Sequence, residues 1–233
     1  VSSLSSSPTP QRSPMSPKTH ILNRAPGLAG QLLLNLRDAS RHEDRAAFRW
    51  NMQRMGRELG SALAQSWPMA KATCTTPLGI ASENIPAHQP VMACILRAAM
   101  PLHQGVLDVW DRADSAFVSA YRKHHATGFD IEIEYLGAPA MEGRALVLID
   151  PMLATGASLQ AAYDALCETG VPASVHVLAA IASEEGLANA QKWLPEGTSF
   201  ILGGVDLDLN EHGYIVPGLG DAGDLAFGPK TRN

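Results

Sequence analysis

The amino-acid sequence predicts an α/β fold: a mostly parallel sheet flanked by helices, with further helices on its N-terminal side. Three observations carry that prediction. Short, wholly apolar runs such as VMACIL and ALVLI recur along the chain, as they do in strands covered on both faces. Windows with helical spacing separate them, an alternation that makes parallel neighbours joined by crossovers. Of the 233 residues, 45% are hydrophobic, enough to fill one sizeable core.

Each element follows from its own pattern. Residues 1–19 are rich in Ser and Pro and nearly free of large apolar groups. Such a segment cannot bury enough surface to offset its ordering entropy, so a disordered tail is expected there and one folded domain over 20–233. Leu28, Leu32, Leu33 and Leu36 fit a helix over 27–38. Ser40 and Glu43 form a capping-box pattern for a second helix. Its Phe48, Met52, Met55, Leu59 and Leu63 make a core-facing stripe with no ligand role, and Pro68 closes the region. VMACIL, 91–96, reads as a buried strand, and 101–110 as a helix with Pro101 at its start. Residues 115–121 and 131–136 are strand-like, the second strictly alternating. A fully apolar strand spans 145–149, and a helix closed by Gly170 spans 158–170. The strand 174–182, the helix 183–194 and a last strand over 199–204 complete the series.

Charge and cysteine usage exclude several classes. Net charge is −5, without a basic block in the body of the chain. Clustered Lys and Arg are what neutralise a nucleic-acid backbone, so no nucleic-acid partner is expected. No apolar run reaches the length of a membrane span, and the first residues lack the apolar stretch of a secretory signal. Cys74, Cys94 and Cys167 lie far apart, without CxxC or metal-ligand spacing. They read as small buried hydrophobes in a reducing, cytoplasmic compartment.

The strand over 145–149 runs into Asp150, and the loop 151–157 leads straight into a helix starting near Ser158. A loop and helix start of this kind present unpaired N–H groups and the positive end of a dipole, which suits a phosphate. Gly156 lets the backbone come close, and Thr155 and Ser158 carry hydroxyl donors. Asp150 would repel the phosphate, so sugar hydroxyls or a magnesium ion suit it better. Neither GK[ST] nor GxGxxG is present. An ordinary strand-to-helix turn capped by Thr or Ser is the competing reading.

The run VLIDPMLATGAS, 147–158, closely resembles the phosphoribosyl-diphosphate loop of the uracil phosphoribosyltransferases, members of the type I phosphoribosyltransferase superfamily. Most of that superfamily carries two adjacent acids there. The uracil enzymes carry Asp-Pro, as Asp150-Pro151 do here. ILRAAMPL, 95–102, resembles the family's ILRAG diphosphate loop, with Ala99 in place of the usual Gly. In SAYRKHH, 119–125, Tyr121-Arg122 match the family's Tyr-Arg, but its acidic continuation is replaced. Lys123, His124 and His125 there read as a solvated loop. GYIVPGLGDAGDLAFG, 213–228, is nearly identical to the uracil-binding segment, with Leu225 where the family often has Arg. The resemblance covers residues 27–228.

It implies a type I phosphoribosyltransferase-like fold with a small C-terminal base-binding hood. It implies uracil phosphoribosyltransferase activity, uracil plus 5-phosphoribosyl 1-diphosphate giving UMP and diphosphate in pyrimidine salvage. Contact with phosphoribosyl diphosphate falls to Arg97, Arg122, Asp150, Pro151, Met152, Leu153, Ala154, Thr155, Gly156, Ala157, Ser158 and Asp221. Contact with uracil falls to Ile215, Gly220, Asp221 and Ala222. Asp150, Arg97 and Asp221 are the candidate catalytic residues. Mg2+ enters bound through the substrate diphosphate, with no direct side-chain ligand. A homodimer or higher homo-oligomer is implied, with the N-terminal helices as contact surface and GTP as a candidate effector. Two other readings stay open: a phosphoribosyl-diphosphate-binding regulatory protein without catalysis, and a transferase for another base. Ala99 and the altered 122–135 region also leave an inactive homologue open.

Overall fold

Wholly apolar strands need cover on both faces, and this chain provides it by sending its crossovers to opposite sides of one sheet. The computed structural model describes residues 19–125 and 128–230, and the side chains among them outside 120–132. The expected tail thus lies outside the described residues, except for Thr19, which already belongs to a strand. In chain order the elements are β1 (Thr19–Ile21), α1 (Ala29–Arg37), α2 (Arg45–Gln65), β2 (Met69–Thr76), β3 (Gly79–Pro86), β4 (Val91–Leu96), α3 (Met100–Leu107), β5 (Asp114–His125), β6 (Gly128–Gly137), β7 (Ala145–Ile149), β8 (Met152–Leu153), α4 (Ala157–Cys167), β9 (Ser174–Ser183), α5 (Glu184–Trp193), β10 (Ser199–Asp206), β11 (Asp208–Leu209), β12 (Ile215–Val216) and α6 (Ala222–Phe227).

Eight strands form the main sheet in the order β1-β10-β9-β7-β4-β5-β6, with β8 beside β9. Its neighbours pair in parallel, except that β5 and β6 are antiparallel. The period-two alternation of strands divides the core. Met92, Cys94, Val147, Ile149, Leu178 and Ile201 face α1, α2 and α3. Val91, Ala93, Ile95, Leu146, Leu148, Val177 and Phe200 face α4 and α5. The stripe from Phe48 to Leu63 on α2 is buried as its spacing predicts.

Several local expectations are corrected. Ser40 does not cap α2. It lies in a 3-10 turn, where Asp38 Oδ1 accepts both its N–H (3.1 Å) and its hydroxyl (2.6 Å). Asp44 caps the helix instead, accepting the Ala47 N–H at 2.9 Å. Lys123, His124 and His125 are not in a loop, because β5 runs on through them against β6. Helix α4 ends at Cys167, before Gly170, which turns at φ +131 where a Cβ would meet the Glu142 backbone. Of the cysteines only Cys94 is buried, and desolvation pushes its thiol up to about 12; Cys74 is exposed on the β2–β3 hairpin. That hairpin, β1, β8, the β11–β12 pair and α6 escape the sequence reading, being short or too polar for a hydrophobic period. No helix among the described residues is long and apolar enough to cross a membrane.

Helices α2 and α3 cross almost backbone to backbone. A Cβ on Gly105 would lie 1.8 Å from the Gln53 carbonyl oxygen, and one on Gly56 2.2 Å from that of Leu102. Gly105→Ala is therefore expected to push the helices apart and cost about 1–3 kcal/mol or more. In a chain of this size that lowers Tm by roughly 2–12 °C, read by calorimetry.

Candidate active site

Strand β4 leads through α3 to β5 on one side, whereas β7 leads through α4 to β9 on the other. These connections leave two adjacent strands in opposite directions, so a crevice opens beyond their C-terminal ends. The register sets Cys94 opposite Ile149. Asp150 and the turn that carries Arg97 therefore emerge side by side at the crevice.

The loop after β7 is braced from behind. Asp150 donates its N–H to Leu178 O at 3.1 Å, and Pro151 O accepts from Ile181 at 3.1 Å. Met152 and Leu153 pair with β9, and Leu153 is buried in the core. Ser183, fully buried, donates its hydroxyl to Ala154 O at 2.6 Å and accepts the Gly186 N–H at 2.8 Å. Gly186 lets α5 reach the loop, since a Cβ there would lie 2.0 Å from Ala154 O. Pro151, Met152, Leu153 and Ala154 thus form the frame, and Thr155, Gly156, Ala157 and Ser158 form the rim.

Gly156, at φ +87, occupies the cap position of α4 with no capping side chain. Glycine takes this left-handed backbone without strain. Thr155 Oγ1 accepts the Ala157 N–H at 3.3 Å. The remaining N–H groups of the first turn have no intrahelical acceptors and point out of the helix end, together with its dipole. Such an end binds anions. Asp150 Oδ1 accepts the Met152 N–H at 3.3 Å. Desolvation nevertheless prevails and pushes the Asp150 carboxyl up to about 7.

The second wall comes from the turn after β4. Ala99 is buried at the cap position of α3 with φ −75 and ψ −12, an ordinary helical backbone that accepts a Cβ. The replacement of the usual Gly there leaves the turn unstrained. Arg97 Nη2 donates to Asp224 Oδ1 at 2.8 Å and to Gly228 O at 2.7 Å, while Nε is buried without a hydrogen-bond partner among the described residues.

The C-terminal segment forms a third wall. Ile215 and Ala222 are buried, and Gly220 and Asp221 are exposed. Asp221 Oδ1 caps α6 by accepting the Asp224 N–H at 3.0 Å. A Cβ on Gly223 would stand 3.2 Å from Asp221 Oδ1 and 3.7 Å from Arg97 Nε, so the hood and the Arg97 turn are in contact. Further arginines pin this segment: Arg37 reaches Gly218 O at 3.1 Å, and Arg49 reaches Ala226 O at 2.7 Å. Sequence reading missed both, along with Ser183 and Gly186. Their partners are remote in the chain, 181 residues away for Arg37 and 177 for Arg49. Arg122 lies on β5, three residues past Ser119, which pairs with Leu96 of β4; its side chain lies outside the described ones. The structure thus gathers Arg97, the 150–158 loop and residues 215–222 at one sheet edge.

Known proteins resemble this chain over most of its length. The family model described as uracil phosphoribosyltransferase matches residues 27–229. A uracil phosphoribosyltransferase of Porphyromonas gingivalis is 41% identical over 204 residues, covering 87% of this chain and 94% of that protein. One of Thermococcus gammatolerans is 36% identical over 208 residues, covering 87% and 90%. The solved structure of a protein from Aquifex aeolicus superposes with a TM-score of 0.80 at 28% identity, covering 90% of this chain and 98% of that one.

The raised Asp150 carboxyl makes a stability prediction. The folded state holds this proton up to pH about 7, whereas the unfolded chain releases it near the ordinary value of 3.8. Between those limits the folded state binds more protons, so stability falls as pH rises. Asp150→Asn removes that decline. Its gain in Tm over the native chain should be small at pH 4.5 and several degrees larger at pH 8, read by thermal denaturation at both values.

Proposed function

The chain belongs to the uracil phosphoribosyltransferase family, and from that premise we propose that the crevice beyond β4 and β7 joins N1 of uracil to C1 of the ribose of 5-phosphoribosyl 1-diphosphate. It is a pentosyltransferase of pyrimidine salvage, with a type I phosphoribosyltransferase-like fold. The bond from C1 to the diphosphate oxygen breaks with its electron pair leaving on the diphosphate. The N1–C1 bond forms, the N1 proton is lost, and UMP results.

The observation that carries this reading is the convergence of three walls at the point where the strand order reverses. The open N–H groups of Thr155, Gly156, Ser158 and Leu159 and the hydroxyls of Thr155 and Ser158 receive the 5′-phosphate, while Asp150 takes the ribose hydroxyls. Arg97 and Arg122 balance the charge that grows on the departing diphosphate, where fixed donors lower the barrier most. Backbone groups of Ile215, Gly220, Asp221 and Ala222 read the flat pyrimidine. Asp221 uses Oδ1 to cap α6, which leaves Oδ2 to accept the N1 proton. Holding both substrates against one edge contributes an orientation effect as well.

Among the described residues no three His, Cys, Asp or Glu side chains converge to hold a metal. This donor set fits a magnesium ion that draws its ligands chiefly from substrate oxygens, with Asp150 as the nearby carboxylate. Bound so, the ion neutralises diphosphate charge. A homo-oligomer belongs to the same proposal. The β2–β3 hairpin stands apart from the main sheet and exposes Leu78 and Ile80, and α1 and α2 expose Leu34 and Trp50. A free two-stranded hairpin is only marginally stable, and exposed apolar groups of this kind suit a contact surface.

Radiolabelled uracil, phosphoribosyl diphosphate and magnesium should give UMP with the purified protein, and hypoxanthine, adenine and orotate should compete poorly. Folded protein that forms no UMP would overturn the assignment. Asp150→Asn should lower kcat by about 10²-fold or more while the fold persists. Gly186→Ala should displace the loop at Ala154 and lower kcat/KM for phosphoribosyl diphosphate by about tenfold or more, with kinetics in the second substrate as the readout. Unchanged kinetics in Gly186→Ala would show that the 150–158 loop does not hold the sugar phosphate.

A further inference from the structure

We infer that Arg37 and Asp206 are a positioning pair for the base-reading turn, so that helix α1 sets the affinity for the pyrimidine. The inference rests on the uracil phosphoribosyltransferase reading and deepens it. Neither residue lies in the segments that resemble the family's substrate loops.

Arg37 is the last residue of α1, and Asp206 is the last residue of β10. Arg37 forks onto the carboxylate with Nη1 to Oδ2 at 2.7 Å and Nη2 to Oδ1 at 2.8 Å. The pair then grips both backbone groups of one residue. Arg37 Nη1 donates to Gly218 O at 3.1 Å, and Asp206 Oδ2 accepts the Gly218 N–H at 3.0 Å. A bidentate guanidinium–carboxylate pair fixes orientation as well as distance. With side-chain exposures of only 20% and 9%, water competes little for these bonds.

Gly218 is the pivot of the hood. It turns at φ +57, and a Cβ there would lie 2.0 Å from Ile215 O. The residues assigned to uracil flank it, with Ile215 three positions before and Gly220 to Ala222 just after. A displacement of Gly218 therefore moves both sets of base contacts together. Helix α1 is a firm support, since Leu32, Leu33 and Leu36 are buried in the core. Positive charge at its last residue also suits the negative end of its dipole. The far end of the hood is held separately, by Arg49 at Ala226 and Arg97 at Gly228. Loss of Arg37 thus loosens the base-reading end alone and leaves the sugar-phosphate loop, braced by β9 and α5, in place.

Arg37→Gln and Asp206→Asn are compared with the native chain by steady-state kinetics in each substrate and by amide hydrogen exchange. KM for uracil should rise about tenfold in each, a shift typical of one lost polar anchor. KM for phosphoribosyl diphosphate and kcat should stay within about twofold. The double variant should be little worse than either single one, because both changes undo the same grip. Arg37→Lys should recover part of the loss, since one ammonium replaces the charge but not the fork. Exchange should accelerate across 215–222 and not across 150–158. An unchanged uracil KM with intact protection at 215–222 overturns the inference. So does a parallel rise of both KM values with a general fall in protection, the signature of a merely structural pair. If Arg37→Gln does not fold, Asp206→Asn, which keeps the size and shape of the side chain but not the charge that holds Arg37, decides the question. Should the native chain make no UMP, the enzymatic reading fails by itself, and the exchange pattern still decides whether the pair holds the turn.

Discussion

Reversal of the winding direction between β4 and β7 is the constraint on which the site depends. One connection passes to the α3 face and the other to the α4 face, and two loops that diverge cannot close over the strand ends between them. The crevice is therefore a consequence of topology, and it opens where the peptide dipoles of α4 point outward. The Arg97 turn, the 150–158 loop and the hood then supply the chemistry along an edge that the sheet has already left open.

Charge at that edge is distributed with little redundancy. The 150–158 loop offers amides and hydroxyls, and its one carboxyl, Asp150, is desolvated and holds its proton far above the ordinary range. Cations come from neighbouring segments instead. Arg97 links the turn after β4 to the hood through Asp224 and Gly228, so two walls of the crevice share a side chain. The hood from Gly213 to Gly228 carries no Lys or Arg of its own, and Arg37, Arg49 and Arg97 all reach it from outside. Ile215, Leu219, Ala222 and Ala226 anchor the hood in the core, and these arginine-to-carbonyl bonds hold its backbone as well.

Close backbone approach is the other recurring device. Gly186 lets α5 abut Ala154, and Gly105 lets α3 abut α2. Both contacts brace the crevice: the first directly behind the 150–158 loop, the second through the helix that follows the Arg97 turn. Loops that orient substrates need such support, since a side chain or amide displaced by an ångström forfeits most of its effect.

The sequence by itself determined the parts whose physics is local. The strands at 91–96 and 145–149 were legible because an unbroken apolar run has few other uses, and the α2 stripe because its spacing matches the helical turn. The Asp150–Ser158 segment and the hood were legible as motifs, since their residues are contiguous. Ser40 misled because a capping box describes four residues without the competitor, Asp38, that occupies its hydroxyl and N–H. Lys123 to His125 misled because only pairing with β6 makes a strand of so polar a stretch. Tertiary structure alone decided which walls face one another, that Ser183 and Gly186 brace the loop, and that Arg37 meets Asp206 across 169 residues of chain. A pair so distant leaves no periodicity or spacing to read, because its geometry exists only once the helix and the strand have packed on the same core.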